Sequence, residues 1–184
     1  MPSAFSWPVL VPYAPSVLRR RLPWALGSHR TAAIHIRKAQ RMDDLDYVLA
    51  TIDPWLDKYI DQGPAALSKI ELIAVGIWTL EAEVKNGGFD QYYFNSAGDM
   101  SVATVESLKA IGVPNTASLL AAANAEFPES KPPENRSERQ EVLERIRENA
   151  RFSALEKEFY QDNEKLITRL AHFLRSNFSA HQTV

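Results

Sequence analysis

The carboxylates of Glu81, Glu83, Asp90 and Asp99 fall in one stretch of the chain, Trp78 to Asp99, together with the amides of Asn86, Gln91 and Asn95. Paired carboxylates can trade protons with a substrate when one of them is desolvated. Glu81 and Glu83 are the nearest pair, but residues two apart on a helix point in different directions, which makes them a poor acid–base couple. Asn86-Gly87-Gly88 has the glycines of a phosphate cradle without its lysine or preceding strand, and it follows a helix C-terminus, where the partial charge is negative. His29, His35, His172 and His181 show no metal-ligand spacing, Ser96, Ser101, Ser107 and Ser118 form no nucleophile elbow, and cysteine is absent. The stretch therefore reads as one that recognises: no catalytic residue, no metal ligand and no cofactor, with Glu81, Glu83, Asp90, Gln91 and Asp99 as candidates for contact with a partner.

The elements that must position these residues are helical. Ser68-Lys69-Ile70-Glu71 is a capping box opening a run to Val84 that is apolar on nearly all sides, as expected of a central helix surrounded by others. Within it Gly76 marks the close approach of a neighbouring helix. Asn86-Gly87-Gly88 stops this helix, and Phe89 to Asn95 forms a short second one, anchored by Phe89 and either Tyr93 or Phe94. Before it, Leu45, Val48, Leu49, Ile52, Leu56, Tyr59 and Ile60 fall on one side of a helix that Pro54 kinks or restarts. After it, Asp99 or Ser101 caps a helix with Val102, Val105, Leu108 and Ile111 inward, and Asn115 caps a further one to about Ala125. Ser137 opens a charged helix, and Ser153-Ala154-Leu155-Glu156 is a capping box starting a long terminal one. No alternating strand of convincing length appears. The fold class is all-α: an irregular bundle of about six to eight helices around a central apolar helix near residues 69–85.

Charge divides the chain. Residues 1–41 hold seven of the 21 Lys/Arg and none of the 23 Asp/Glu, so the remainder carries 14 against 23, a formal −9. This separates a basic N-terminal stretch, 1–41, read as a disordered arm or an overrun upstream of a true start at Met42, from a single acidic domain, 42–184. The acidic domain would repel nucleic acid and attract basic proteins. No stretch approaches the ~20 apolar residues that cross a bilayer, so no membrane partner is expected, and the lack of cysteine fits a reducing cytoplasm. Glu134, Glu138, Glu141, Glu144 and Glu148 form one acidic helical series, interleaved with arginines. Asp43, Asp44, Asp46, Asp57, Asp61, Glu81, Glu83, Asp90 and Asp99 form a second patch if the fold brings them to one face.

The pattern Trp78-x-Leu80-Glu81-x-Glu83-Val84-x-Asn86-Gly87-Gly88-Phe89-x-Gln91-Tyr92-x-x-Asn95-Ser96-x-Gly98, followed by a helix to Ile111-Gly112, resembles the DNA-mimic-protein family of small bacterial helical domains. The resemblance runs loosely from Met42 to about Phe178. It implies an acidic all-α protein, dimeric in the member that gave the family its name, which occupies the DNA-binding surface of a transcription regulator. Trp78, Asn86, Gly87, Gly88, Phe89, Tyr92, Asn95 and Gly98 are then the structural residues of the motif.

The function expected is a non-enzymatic protein-binding domain that engages a DNA-binding protein through an acidic face, and that can pair as a homodimer. An immunity or antitoxin-like protein blocking a toxin by shape and apolar contact is the alternative. An enzyme with a carboxylate-lined cleft near residues 81–99 is the second.

Overall fold

The computed structural model describes residues 42–161 and 164–180; the expected arm, 1–41, lies outside them, as does His181. Among the described residues there are seven α-helices and no strand, an all-α fold. They are α1 (Asp44–Gln62), α2 (Lys69–Phe94), α3 (Ser101–Ala110), α4 (Pro114–Asn124), α5 (Arg136–Ile146), α6 (Phe152–Phe159) and α7 (Leu166–Ala180), with short 3-10 turns at Pro64–Ala66, Ser96–Met100 and Pro128–Ser130.

The central position belongs to α2, as its all-round apolar sequence requires: α1, α3, α5, α6 and α7 all pack on it. Its capping box forms as expected, with the Ser68 N–H donating to Glu71 Oε2 at 2.7 Å and the Glu71 N–H to Ser68 Oγ at 3.4 Å. Gly76 is buried against α3, where a Cβ would come within 2.7 Å of Thr104 Oγ1. The helix is broken where the glycines stand, Gly87 at φ −154° and ψ 24° and Gly88 at φ 76° and ψ −174°. The two halves before and after them are otherwise regular.

Several local expectations are corrected. Pro54 neither splits nor restarts α1, which runs through it; Pro54 is exposed, so water can meet the carbonyl its ring frees. The inward face of α1 is Tyr47, Val48, Ile52 and Tyr59, with Trp55 stacked on Phe178 of α7 at 5.8 Å, and this turns Leu45 and Ile60 out to solvent. Neither Asp99 nor Ser101 caps α3: the turn Ser96–Met100 leads straight into it, and Val102 is exposed while Thr104 and Ser107 are buried. Asn135, not Ser137, caps α5 by accepting from the Glu138 N–H at 3.1 Å.

Two more corrections concern acids that act at a distance. The cap of α4 is Glu164, which accepts from the Asn115 and Thr116 N–H groups at 3.1 and 2.7 Å; Asn115 caps nothing with its side chain. The long terminal helix expected from Ser153 is two helices, α6 and α7. Glu164 leaves the helical path between them to reach α4, and Lys165 follows it at φ 51°. The Ser153–Glu156 box does not form, because Glu156 is used on α2 instead.

Candidate functional site

Two regions carry the residues singled out by the sequence, the break in α2 and the outer face of α1. At the break, backbone groups lose their helical partners on both sides and must find others. Glu156 on α6 and Tyr160, the residue that ends it, supply them. The Phe89 N–H donates to Glu156 Oε1 at 2.8 Å, and the Tyr160 hydroxyl donates to the Val84 carbonyl at 3.0 Å. A carboxylate thus meets the positive start of the second half, and a hydroxyl meets the negative end of the first. A side chain on Gly88 would run into the Glu156 carboxylate, so that glycine is required by both its left-handed φ and its lack of a Cβ.

Glu83 closes the break from the other side. Gln91 Nε2 and Asn95 Nδ2 donate to Glu83 Oε2 at 2.6 and 2.9 Å, clamping the end of the first half to two successive turns of the second. Phe89 fixes that second half in the core, its ring 5.9 to 6.3 Å from Tyr93, Phe152 and Phe159. Tyr92 and Tyr93 are fully buried beside it, and Phe94 is only half-buried. Burial pushes the pKa of both tyrosines up, and that of Tyr59 up to about 12; the Tyr59 hydroxyl donates to the Ser96 carbonyl at 2.6 Å.

The free carbonyls at the end of α2 are gathered by α5. Arg139, fully buried, donates from Nε to the Tyr93 carbonyl at 2.7 Å and from Nη2 to the Asn95 carbonyl at 2.9 Å and to Asp99 Oδ1 at 2.5 Å. Its Nη1 donates to the carbonyls of Pro133 and Glu134 at 2.8 and 3.1 Å. Gly98 makes room for it, since a Cβ there would lie 2.7 Å from Arg139 Nε. Arg136 Nε and Gln140 Nε2 both donate to the Phe94 carbonyl, at 3.1 and 2.8 Å.

The five residues proposed to touch a partner are therefore placed as follows. Glu81 is buried and paired with Lys85; Glu83 and Gln91 bond each other; Asp99 holds Arg139. Asp90 approaches Arg147 at 3.3 Å without hydrogen-bond alignment, and burial raises its pKa while Arg147 pulls the other way. Of the structural residues, Trp78 is half-buried, Asn86 and Gly87 are exposed, and Gly88, Phe89, Tyr92 and Gly98 are buried. An open depression of about 600 Å³ lies along α5 at the C-terminal end of α2, lined by Phe94, Ser137, Gln140, Glu141, Glu144 and Arg145.

The larger acidic patch is sorted by the fold. Asp43, Asp46, Asp57 and Asp61 share the exposed side of α1 with Asp53, whereas Asp44 turns to Arg175 at 2.6 Å and the acids of α2 are engaged at the break. At about 100° per residue, Asp46, Asp53, Asp57 and Asp61 lie within an arc of about 80°, and at ~1.5 Å per residue they run ~22 Å along the helix. None of the four has an ion-pair partner among the described residues, and the sole cation of α1, Lys58, bonds Glu71 at 2.8 Å. The acids on and around α5 are also exposed: Glu134 and Glu144 pair with Lys131 and Arg147 at 3.4 and 3.0 Å, whereas Glu138, Glu141 and Glu148 have no ion-pair partner among the described residues but are interleaved with arginines. Among the described residues no three His, Asp or Glu converge to hold a metal ion, and no helix is long and apolar enough to cross a membrane.

Arg139, Tyr160 and Glu164 carry no motif in the sequence, and Glu156 reads there only as part of a cap on its own helix. Arg139 did leave a signal: with Leu143 and Ile146 it continues the inward row of α5, a position where an arginine must be satisfied internally. The other three act between segments 48 to 76 residues apart, a distance that no local pattern spans.

No curated protein and no solved structure matches the chain. The sequence model of the DMP19-like proteins matches residues 65–177, from the turn before α2 into α7, and leaves α1 outside the matched span. Those residues make up more than half of the chain, which belongs to the DMP19-like protein family.

Proposed function

We propose that this domain acts by binding, as a DNA mimic that occupies the nucleic-acid-binding surface of a basic protein, and that it makes and breaks no bond itself. The observation that carries the reading is the aspartate row of α1: exposed carboxylates without ion-pair partners, on a rigid helix, beside a domain whose other acids are largely engaged. On a helix, carboxylates one turn apart are ~6 Å apart, close to the separation of successive phosphates along a nucleic acid strand. Membership of the DMP19-like family, named for a DNA mimic, supports the same reading. In it, Glu83, Gln91 and Asp99 serve binding by holding the scaffold, and Asp90, its side chain 43% exposed beside Arg147, is a further contact for the partner.

The test is competition. A protein captured by the immobilised full chain should be released by duplex DNA carrying that protein's own binding site. Joint substitution of Asp46, Asp53, Asp57 and Asp61 by Asn should abolish capture. Capture that duplex DNA leaves untouched, or that survives those substitutions, contradicts the proposal.

A further inference from the structure

A row of acids alone attracts any cation, but the outer face of α1 carries a second feature. Of the large hydrophobic residues exposed among the described ones, Ile60 is 69% and Leu45 46% exposed, and both are on α1. Leu49 and Leu56, half-buried, fall between them in the same helical phase. Together they form an aliphatic edge that runs beside the aspartates for the length of the helix, ~22 Å. Nothing in the fold needs Ile60 in water. α1 is buried against α2 and α7 through Tyr47, Val48, Ile52 and Tyr59, with Trp55 and the inner side of Leu56 packed beside them, and without Ile60.

Resting on the reading above, we infer that the face of α1 takes one kind of occupant, an amphipathic basic helix laid along it, with Ile60 as its apolar anchor. An extended basic segment would use the aspartates alone and leave the aliphatic edge wet. A helix that alternates arginines with leucines presents both chemistries at once, at matching pitch. A second copy of the chain would bring another row of aspartates within ~10 Å of the first, the spacing of packed helices, and repulsion works against it. An anionic membrane surface is repelled in the same way. The aspartates do not converge on a point, so the complementary charge has to be spread along a line.

The experiment uses the full chain and two synthetic peptides of about 18 residues, long enough to cover the row. The peptides have the same Arg, Leu and Ala content, one ordered as an amphipathic helix and the other scrambled so that no face forms. Fluorescence anisotropy should give about tenfold tighter binding of the ordered peptide. Ile60→Ala should remove that preference and leave the salt dependence unchanged, while Asp53→Asn/Asp57→Asn/Asp61→Asn weakens both peptides. Equal affinity for the two peptides, together with no effect of Ile60→Ala, overturns the inference and leaves the acidic-face reading standing. Peptide binding that ignores the aspartate substitutions defeats that reading itself. A dimer in sedimentation that Ile60→Ala dissociates would assign the face to a second copy and also overturn the inference.

Discussion

Gly88 shows how much one residue of the motif holds. Its φ of 76° with ψ of −174° belongs to a region that side chains avoid, and its missing Cβ is the space into which the Glu156 carboxylate reaches. Gly88→Ala should therefore cost about 2–4 kcal/mol, the strain of the backbone plus the loss of a cap, measured by urea denaturation. A variant within about 0.5 kcal/mol of the parent would show that the break does not depend on glycine. Arg139 is the corresponding case for charge. It satisfies four carbonyls and Asp99 from a fully buried position, so Arg139→Met leaves these acceptors without donors and should cost about 3–5 kcal/mol. The same measurement on Asp99→Asn, whose side chain is 27% exposed and keeps an acceptor oxygen, should give a clearly smaller loss. If Asp99→Asn proves the more damaging, the guanidinium is held by its charge partner and not by the helix end.

Titration acts between elements. Arg175 of α7 donates to Asp44 of α1 and lowers its pKa from 3.8, and Lys58 of α1, with the Ser68 backbone, lowers that of Glu71 of α2 from 4.5. Groups lowered in the fold contribute stability above their ordinary values and lose it as pH falls through the folded ones, so α1 should loosen below about pH 4. Tyr59 behaves in the opposite sense: raised to about 12 from 10.0, it contributes below pH 10 and loses that contribution as pH climbs toward 12. Thermal melts across pH should fall at both ends. Asp44→Asn with Glu71→Gln should flatten the acid limb, and Tyr59→Phe should make the alkaline one shallower while the buried Tyr92 and Tyr93 keep the rest of it; an acid limb unchanged in the double variant would show that these pairs do not set it. At this scale the sequence could be read where a local signal met no competing partner. The Ser68–Glu71 box, the glycine break and the all-round apolar α2 could each be read from neighbouring residues. The Ser153 box failed because Glu156 is worth more at the orphaned Phe89 N–H than at its own helix end, and the cap on α4 was hidden because Glu164 comes from a distant segment. Pro54 left two readings open, one helix or two, and the single helix forms because a proline on the wet side of a helix loses one bond that water replaces.

At the scale of the whole molecule, the Trp78–Gly98 sequence motif and the proposed binding face are separate. The motif builds the break in α2 and ties α5 and α6 to it, whereas the unpaired aspartates stand on α1, before the first residue matched to the family. Composition had already located the acidic half of the chain. It did not reveal that Asp44, Glu83 and Asp99 would be used internally while Asp46, Asp53, Asp57 and Asp61 would be left for solvent, since that depends on which helix face is buried. Stability and binding are therefore carried by different residues. The four aspartates are exposed, and their joint change to Asn should leave the melting temperature within a few degrees of the parent, because surface substitutions of this kind shift stability by about 0.5 kcal/mol or less each. The most direct measurement is the affinity for a captured partner as a function of salt, for the parent and for this variant. The parent's affinity should fall steeply as salt rises, and the variant's should be weak and nearly flat. Parent binding that does not change with salt, or a variant that binds as tightly and as steeply as the parent, would contradict the proposed binding face.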